Sequence, residues 1–322
     1  MGGLSDRMQA SKPFCFKGYL MTSLRVHAVI IGWEGKNDRA RAIAALLQPV
    51  VSTLTVVYSN AAETDLTGPG DWLRVPNADF FGRKFHRAIE AFDGDIFLLV
   101  HADTDYADWP ALVQRCTHCF ATLPQLGVWS PDFTYTPYPT IDVALLPLPL
   151  EGLVTVAQTD GIVFALSAPV VNRMAKLEEK GNNLGWGIDR AAAAFARTTG
   201  RLVVRDQTLL VRHDISRGYI GEAAGEQMWA YLAQLTLAER DMRLLQFRHF
   251  WAQRHDRTSR YQRLRRFLGR KGPADPTPRL VEWECFFKRL PIIDAEVFWL
   301  FRGGKLGPVC DGLRSKVLAQ TT

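Results

Sequence analysis

Three short apolar runs rich in β-branched residues recur in the first third of the chain: RVHAVIIGW (25–33), STLTVVYSN (52–60) and GDIFLLVHADTD (94–105). Segments of helical period alternate with them: DRARAIAALLQPV (38–50), GRKFHRAIEAF (82–92) and WPALVQRCTHCFATL (109–123). Runs this short and this continuously apolar suit strands covered on both faces. A strand that is regained only after a helix pairs in parallel with the one before it. The spacing therefore predicts an α/β fold with a mostly parallel sheet flanked by helices. Asp38 and Asp108 read as caps of the helices that follow them, and the polar stretch 61–72 reads as a loop.

The middle of the chain has a different order. LGVWSPDFTYTPY (126–138) and VTVAQTDGIVFALS (154–167) are strand-like. Helical segments at 168–181 and 188–200 each close on a glycine, and 201–214 supplies one strand or two short ones. Residues 1–20 read as a loose tail, with Met21 as the natural start directly before the first strand. Residues 21–221 read as one α/β domain and 222–322 as a mainly helical C-terminal extension. That extension holds an Arg- and aromatic-rich stretch (248–271), a linker GPADPTP (272–278) and a second aromatic segment (280–302).

Charge and cysteines narrow the partners. The 322 residues carry a formal net charge of +6, which favours anionic partners without choosing among them. Five cysteines without framework spacing point to a reducing, cytoplasmic setting, and Cys116 and Cys119 read as buried structural thiols. No run approaches the roughly 18 apolar residues of a membrane span.

The candidate chemistry sits where the third run ends. Ligands of parallel sheets bind beyond the carboxyl ends of the strands. Asp103 and Asp105 fall there, and residues i and i+2 of an extended segment point to one side. Two carboxylates so placed can meet one Mg2+ or Mn2+, with diphosphate oxygens completing its shell. The plain alternative is a pair of helix-capping aspartates.

GDIFLLVHADTD resembles the apolar-run-plus-D-x-D segment of GT-A-fold glycosyltransferases, in particular the family-2-like group. NNLGWGIDRAAAAFA (182–196) resembles that group's Gly-Trp-Gly-acid-Asp segment, and LLVRHDISRGY (209–219) its late metal-binding strand. The chain departs from the pattern at YSNA (58–61), which lacks an acidic pair, at Ile188 and at His101. The resemblance implies a GT-A-like catalytic domain that moves a sugar from a nucleotide-sugar donor to a hydroxyl of a glycan or lipid-linked acceptor, with inversion. It implies Asp189 as catalytic base and Asp103, Asp105 and His213 as ligands of Mn2+ or Mg2+. It places Trp33, Lys84, Asp160, Gly161 and Trp186 near donor or acceptor.

Each residue also has a structural reading. Asp189 would cap its helix, Trp186 plug the core, His213 make a structural hydrogen bond, Asp160 close a turn with Gly161, and Lys84 lie on a solvated helix face. Two other functions compete. A sugar nucleotidyltransferase shares such a sheet, but GWEGKND (32–38) makes a poor phosphate loop. A non-catalytic protein of this fold would target an anionic membrane or nucleic acid. The 248–271 stretch reads as a packed appendage or as a peripheral contact with anionic membrane at its inner face; nucleic acid is the weakest of its partners.

Overall fold

The computed structural model describes residues 24–179, 181–213 and 221–267, with the backbone alone at 221 and 258–267. The expected tail 1–20, the linker, the second aromatic segment and the end of the Arg-rich stretch lie outside the described residues. Strands β1 (Val26–Ile31), β2 (Thr53–Tyr58) and β4 (Ile96–His101) are the three runs foreseen, and helices α1 (Asn37–Leu47), α2 (Phe81–Glu90) and α3 (Trp109–Thr122) follow them in turn. The chain continues through β5 (Thr104–Asp105), before α3, and then β6 (Leu126–Phe133), α4 (Thr140–Val143), β7 (Ala144–Pro147), β8 (Leu153–Val156), β9 (Val163–Ser167), α5 (Ala168–Met174), α6 (Ile188–Thr198) and β10 (Leu202–His213). Helices α7 (Gly221–Leu232) and α8 (Leu237–Phe267) complete the described chain.

The sheet order is β3-β2-β1-β4-β9-β6-β10-β8-β7, where β3 is Asp71–Arg74 and β5 pairs with β10 off this path. Seven of these nine strands run one way, and β9 and β8 run against them. The mostly parallel α/β sheet flanked by helices is thus the observed architecture. Side-chain alternation divides the core in two. Val26, Ala28 and Ile30 of β1 join Ile43 of α1 and Leu112 of α3 on one face. Val29 and Ile31 join Phe85 of α2, Val170 of α5 and Ala192 of α6 on the other.

Several boundaries differ from expectation. β3 lies inside the expected loop 61–72 and beyond it: its end residues are exposed, so no apolar run announces it. The segment 154–167 is two strands, because residues 157–162 leave the sheet between β8 and β9. β6 ends at Phe133 and α5 at Met174, short of the expected 138 and 181. The run 201–214 is one strand whose pairing with β6 shifts register between Asp206 and Leu210.

The C-terminal helices pack onto the sheet domain. Arg173 of α5 makes a two-pronged bond to Glu239 of α8, at 2.8 and 2.7 Å. Arg257 does the same to fully buried Asp142, at 2.7 Å on both oxygens. His249 Nε2 lies 3.2 Å from Ala144 O, and Phe250 meets Tyr138 edge to face at 5.3 Å. Part of the Arg-rich stretch therefore packs inward. Among the described residues no helix is long and apolar enough to cross a membrane.

The start of α2 is pressed against the segment that leads into α6. Gly82 N donates to Asn183 O at 2.8 Å, and a Cβ at Gly82 would stand 1.7 Å from Asn182 O. Asn183 also accepts from Phe80 N and donates to Ala78 O. Gly82→Ala should therefore cost about 1–3 kcal/mol through overpacking of backbone on backbone. Urea denaturation checks this; a midpoint equal to that of the wild type would mean the contact relaxes without cost.

Candidate active site

A cavity of about 580 Å3 opens beyond the carboxyl ends of β1, β2 and β4. Of the nine residues singled out in the sequence, eight line it: Trp33, Lys84, Asp103, Asp160, Gly161, Trp186, Asp189 and His213. Asp105 does not.

Asp105 is displaced because the chain turns directly after β4. Thr104 Oγ1 donates to His101 O at 2.6 Å, and Thr104 and Asp105 pair as β5 with His213 and Arg212 of β10. The Asp105 carboxylate is 58% exposed and lies 3.2 Å from Arg39. The residues that alternate onto the cavity are His101 and Asp103 instead. Sequence reasoning treated His101 only as an oddity. Its ring lies edge-on between Phe81, at 4.6 Å, and Trp33, at 6.0 Å. Burial holds its pKa down to about 4, so it is neutral, and its buried Nε2 has no hydrogen-bond partner.

Asp103 and His213 meet at 3.4 Å, Oδ2 to Nε2. Burial pushes the Asp103 carboxyl up, but the His213 hydrogen bond and the neighbouring imidazole charges outweigh it and leave the group below its ordinary value. Asp103 Oδ1 is buried and has no partner. A buried carboxylate oxygen is costly to leave unsatisfied, so this corner suits a cation. Among the described residues no group of three or more His, Cys, Asp or Glu is disposed to hold an ion alone. Carboxylate and imidazole with substrate oxygens remain an adequate donor set, since Mg2+ commonly takes one or two protein carboxylates plus phosphate.

The opposite corner is built by the turn into α6. Gly185 and Gly187 both have left-handed φ, +77° and +88°. A Cβ at Gly185 would stand 2.4 Å from the Phe81 ring, and one at Gly187 2.8 Å from Met228. Gly187 is the N-cap of α6 and Asp189 sits inside the first turn, so Asp189 is not the cap its structural reading supposed. Its Oδ1 accepts from Arg190 N at 2.8 Å and its Oδ2 from Gln158 Nε2 at 3.0 Å. Asp160 accepts from Thr136 Oγ1 at 2.7 Å, and burial raises its pKa. Burial also raises Asp189, to about 6, with the Asp160 charge adding to the effect and Arg190 opposing it. Gln158, Arg190 and Tyr138 had no signal of their own in the sequence beyond the adjacency of Arg190 to Asp189.

Lys84 is not on a solvated face. It is 2% exposed, and its Nζ donates to Gly32 O and Ser59 Oγ, both at 2.8 Å. Burial lowers its pKa to about 8. It ties the end of β1 to the end of β2 and leaves a positive charge in the cavity wall. Cys116 and Cys119 are free and buried in α3, and burial pushes the Cys119 thiol up to about 12, which makes it a poor nucleophile.

The raised Asp189 has a consequence for stability. A carboxyl near 6 in the folded chain and near 4 in the unfolded one favours folding in its protonated form. That contribution is complete below about pH 4 and is lost as pH rises through about 6. Asp189→Asn fixes the uncharged state. It should melt above the wild type at pH 8, and the advantage should vanish at pH 4. Thermal melts at the two pH values check this, and a lower melting point at pH 8 would contradict the electrostatic account.

No protein-family model and no curated protein matches the chain. Among solved structures it is similar to S. aureus TarS 1–349, with a TM-score of 0.49, 12% identity, and coverage of 92% of this chain and 89% of that one. It is similar to GalNAc-T7 with UDP, GalNAc and Mn2+, at 0.48 and 10%, over 68% of this chain and 50% of that one. It is also similar to mannosyltransferase PcManGT from Pyrobaculum calidifontis in complex with GDP-Man and Mn2+, at 0.47 and 11%, over 94% and 88%. The chain thus spans half the length of the GalNAc-T7 chain.

Proposed function

We propose that the chain is a metal-dependent glycosyltransferase of GT-A type, transferring a sugar from a nucleotide-sugar donor to a hydroxyl of a glycan or lipid-linked acceptor with inversion. One observation carries this: a single cavity has an acid held low beside an imidazole at one corner and an acid raised to about 6 at another. Environments that push two carboxyls apart assign them different tasks.

Asp103 and His213 would hold Mn2+ or Mg2+, which when bound neutralises the negative charge of a departing nucleoside diphosphate. Asp105 stays with Arg39. Lys84, positive below about pH 8, adds a cation to the donor wall. Asp189 takes the proton of the acceptor hydroxyl as that oxygen attacks the anomeric carbon. A pKa of about 6 leaves it ionised at neutral pH and close enough to be an efficient base. Gln158 and the Arg190 amide fix its orientation through one oxygen each. Trp33 and Trp186 offer aromatic surface to sugar rings and keep water away. A nucleotidyltransferase whose nucleophile is a sugar 1-phosphate attacks with an oxygen already ionised and would not need a base at Asp189.

Calorimetry with UDP and GDP in the presence of Mn2+ tests the donor corner. Asp103→Asn should abolish Mn2+-dependent nucleotide binding. Asp105→Asn removes only an exposed ion pair worth about 0–1 kcal/mol and should bind as the wild type does. Unchanged affinity in folded Asp103→Asn would refute the metal assignment.

Transfer tests the base. With a panel of UDP- and GDP-sugars, Asp189→Asn should bind nucleotide normally and lose roughly 10²–10⁴-fold in rate. Wild-type transfer should fall as pH drops through about 6, as Asp189 protonates. Near-normal transfer by the Asn variant would end the inverting-base proposal.

A further inference from the structure

A second hollow, of about 170 Å3, adjoins the cavity across Tyr138 and Arg190, which line both. Its other wall is the inward face of α8. Three guanidinium groups line it, from Arg190, Arg243 and Arg254, and no carboxylate does among the described residues. Arg190 Nη2 donates to the Tyr138 hydroxyl at 2.5 Å, and Arg243 lies over the Trp229 ring at 5.1 Å. Neither makes an ion pair with a carboxylate among the described residues. Burial first, and then the charge of Arg190, lowers the pKa of Arg243, so two like charges face each other across a partly desolvated space.

The hollow also contains polar groups with nothing to bind. Gln246 is 2% exposed, yet neither its Nε2 nor its Oε1 has a partner. Arg243 Nε is buried and equally unpartnered. Asp189 and Asp160 offset the Arg190 charge from the main cavity, but the buried Arg243 Nε and Gln246 Nε2 are donors without acceptors, which is costly in an empty site and which an oxyanion would satisfy together. Phe247 and Trp251, 39% and 48% exposed, form an aromatic rim, with Arg254 5.7 Å from the Trp251 ring. Gln158 completes the link: it lines the hollow and donates to Asp189.

We propose that this hollow is the acceptor subsite for a phosphate group, so that the acceptor is a phosphate-bearing sugar whose reacting hydroxyl faces Asp189. This rests on the transferase assignment for the acceptor role, but not for the binding of phosphate. Guanidinium forks from Arg190 and Arg243 grip the phosphate oxygens, the Gln246 amide donates to a third, and the sugar ring lies against the aromatic rim.

The test is a calorimetric titration of inorganic phosphate, glucose 6-phosphate and glucose into protein saturated with UDP and Mg2+, which occupy the main cavity. Wild type should bind phosphate and glucose 6-phosphate saturably, and glucose more weakly. Arg243→Gln should weaken both phosphate compounds about 10- to 100-fold, the loss typical of a charged hydrogen bond. Arg243→Lys keeps the charge without the fork and should fall between the two, and UDP affinity should be unchanged in both variants, which also reports that they are folded. Absent phosphate binding, equal binding by Arg243→Gln, or glucose binding as tightly as glucose 6-phosphate would each overturn the proposal. Should nucleotide fail to bind while Arg243-dependent phosphate binding persists, the anion subsite stands and its acceptor role is overturned.

Discussion

The antiparallel ladder between β4 and β9 is the constraint on which the rest of the site depends. It runs from Ile96–Ser167 to Val100–Val163, and His101 N extends it to Ile162 O at 3.0 Å. Because β9 runs against its neighbours, the chain enters it at the end where β4 leaves the sheet. Asp160 and Gly161 are thereby delivered to the cavity that His101 and Asp103 line. β6 then closes the other side of β9, and β10 beyond it brings His213 back to Asp103, clasped by the short β5 pairing. A slip of β4 by one residue against this ladder would turn Leu99 to the opposite core face and take His101 out of the cavity.

Burial pushes Asp103, Asp160 and Asp189 in the same direction; what separates them is company. Asp103 has two imidazoles at hand and is held low. Burial raises Asp160, and burial with the Asp160 charge raises Asp189, although Thr136 relieves part of the cost at the first and Arg190 and Gln158 at the second. The same desolvation makes His101 neutral and brings Lys84 within reach of ordinary pH. Raised acids and the unpartnered atoms Asp103 Oδ1 and His101 Nε2 cost the fold stability, a cost commonly met at functional sites.

The central strands were legible because strands covered on both faces leave uninterrupted apolar runs. β3 was not, since an edge strand with exposed Asp71 and Arg74 at its ends resembles a loop. The residues around the cavity were legible for the same reason: ligand residues gather where apolar runs stop. Which of His101, Asp103 and Asp105 face inward was not, because it is decided by the Thr104 turn and by β10, more than a hundred residues further on. Lys84 misled for a similar reason. Its two acceptors lie on other strands, and a lysine between polar neighbours carries no local sign of them. The phosphate hollow was beyond sequence reasoning, as Tyr138, Gln158, Arg190, Arg243 and Gln246 share no motif.

The long reach of α8 has a bearing on how the chain is made. The Asp142–Arg257 clasp closes a span of 115 residues, and non-local contacts of that kind form late. A ribosome releases the chain from its N-terminus, and early segments fold as they emerge. The sheet and the Asp103–His213 corner are therefore complete in sequence while the inward face of α8 is still being synthesised. A nascent chain halted before Arg257 would carry the whole sheet but not the clasp that seats α8 against it. Premature termination in α8 would accordingly leave a formed sheet whose outer helix is only loosely held.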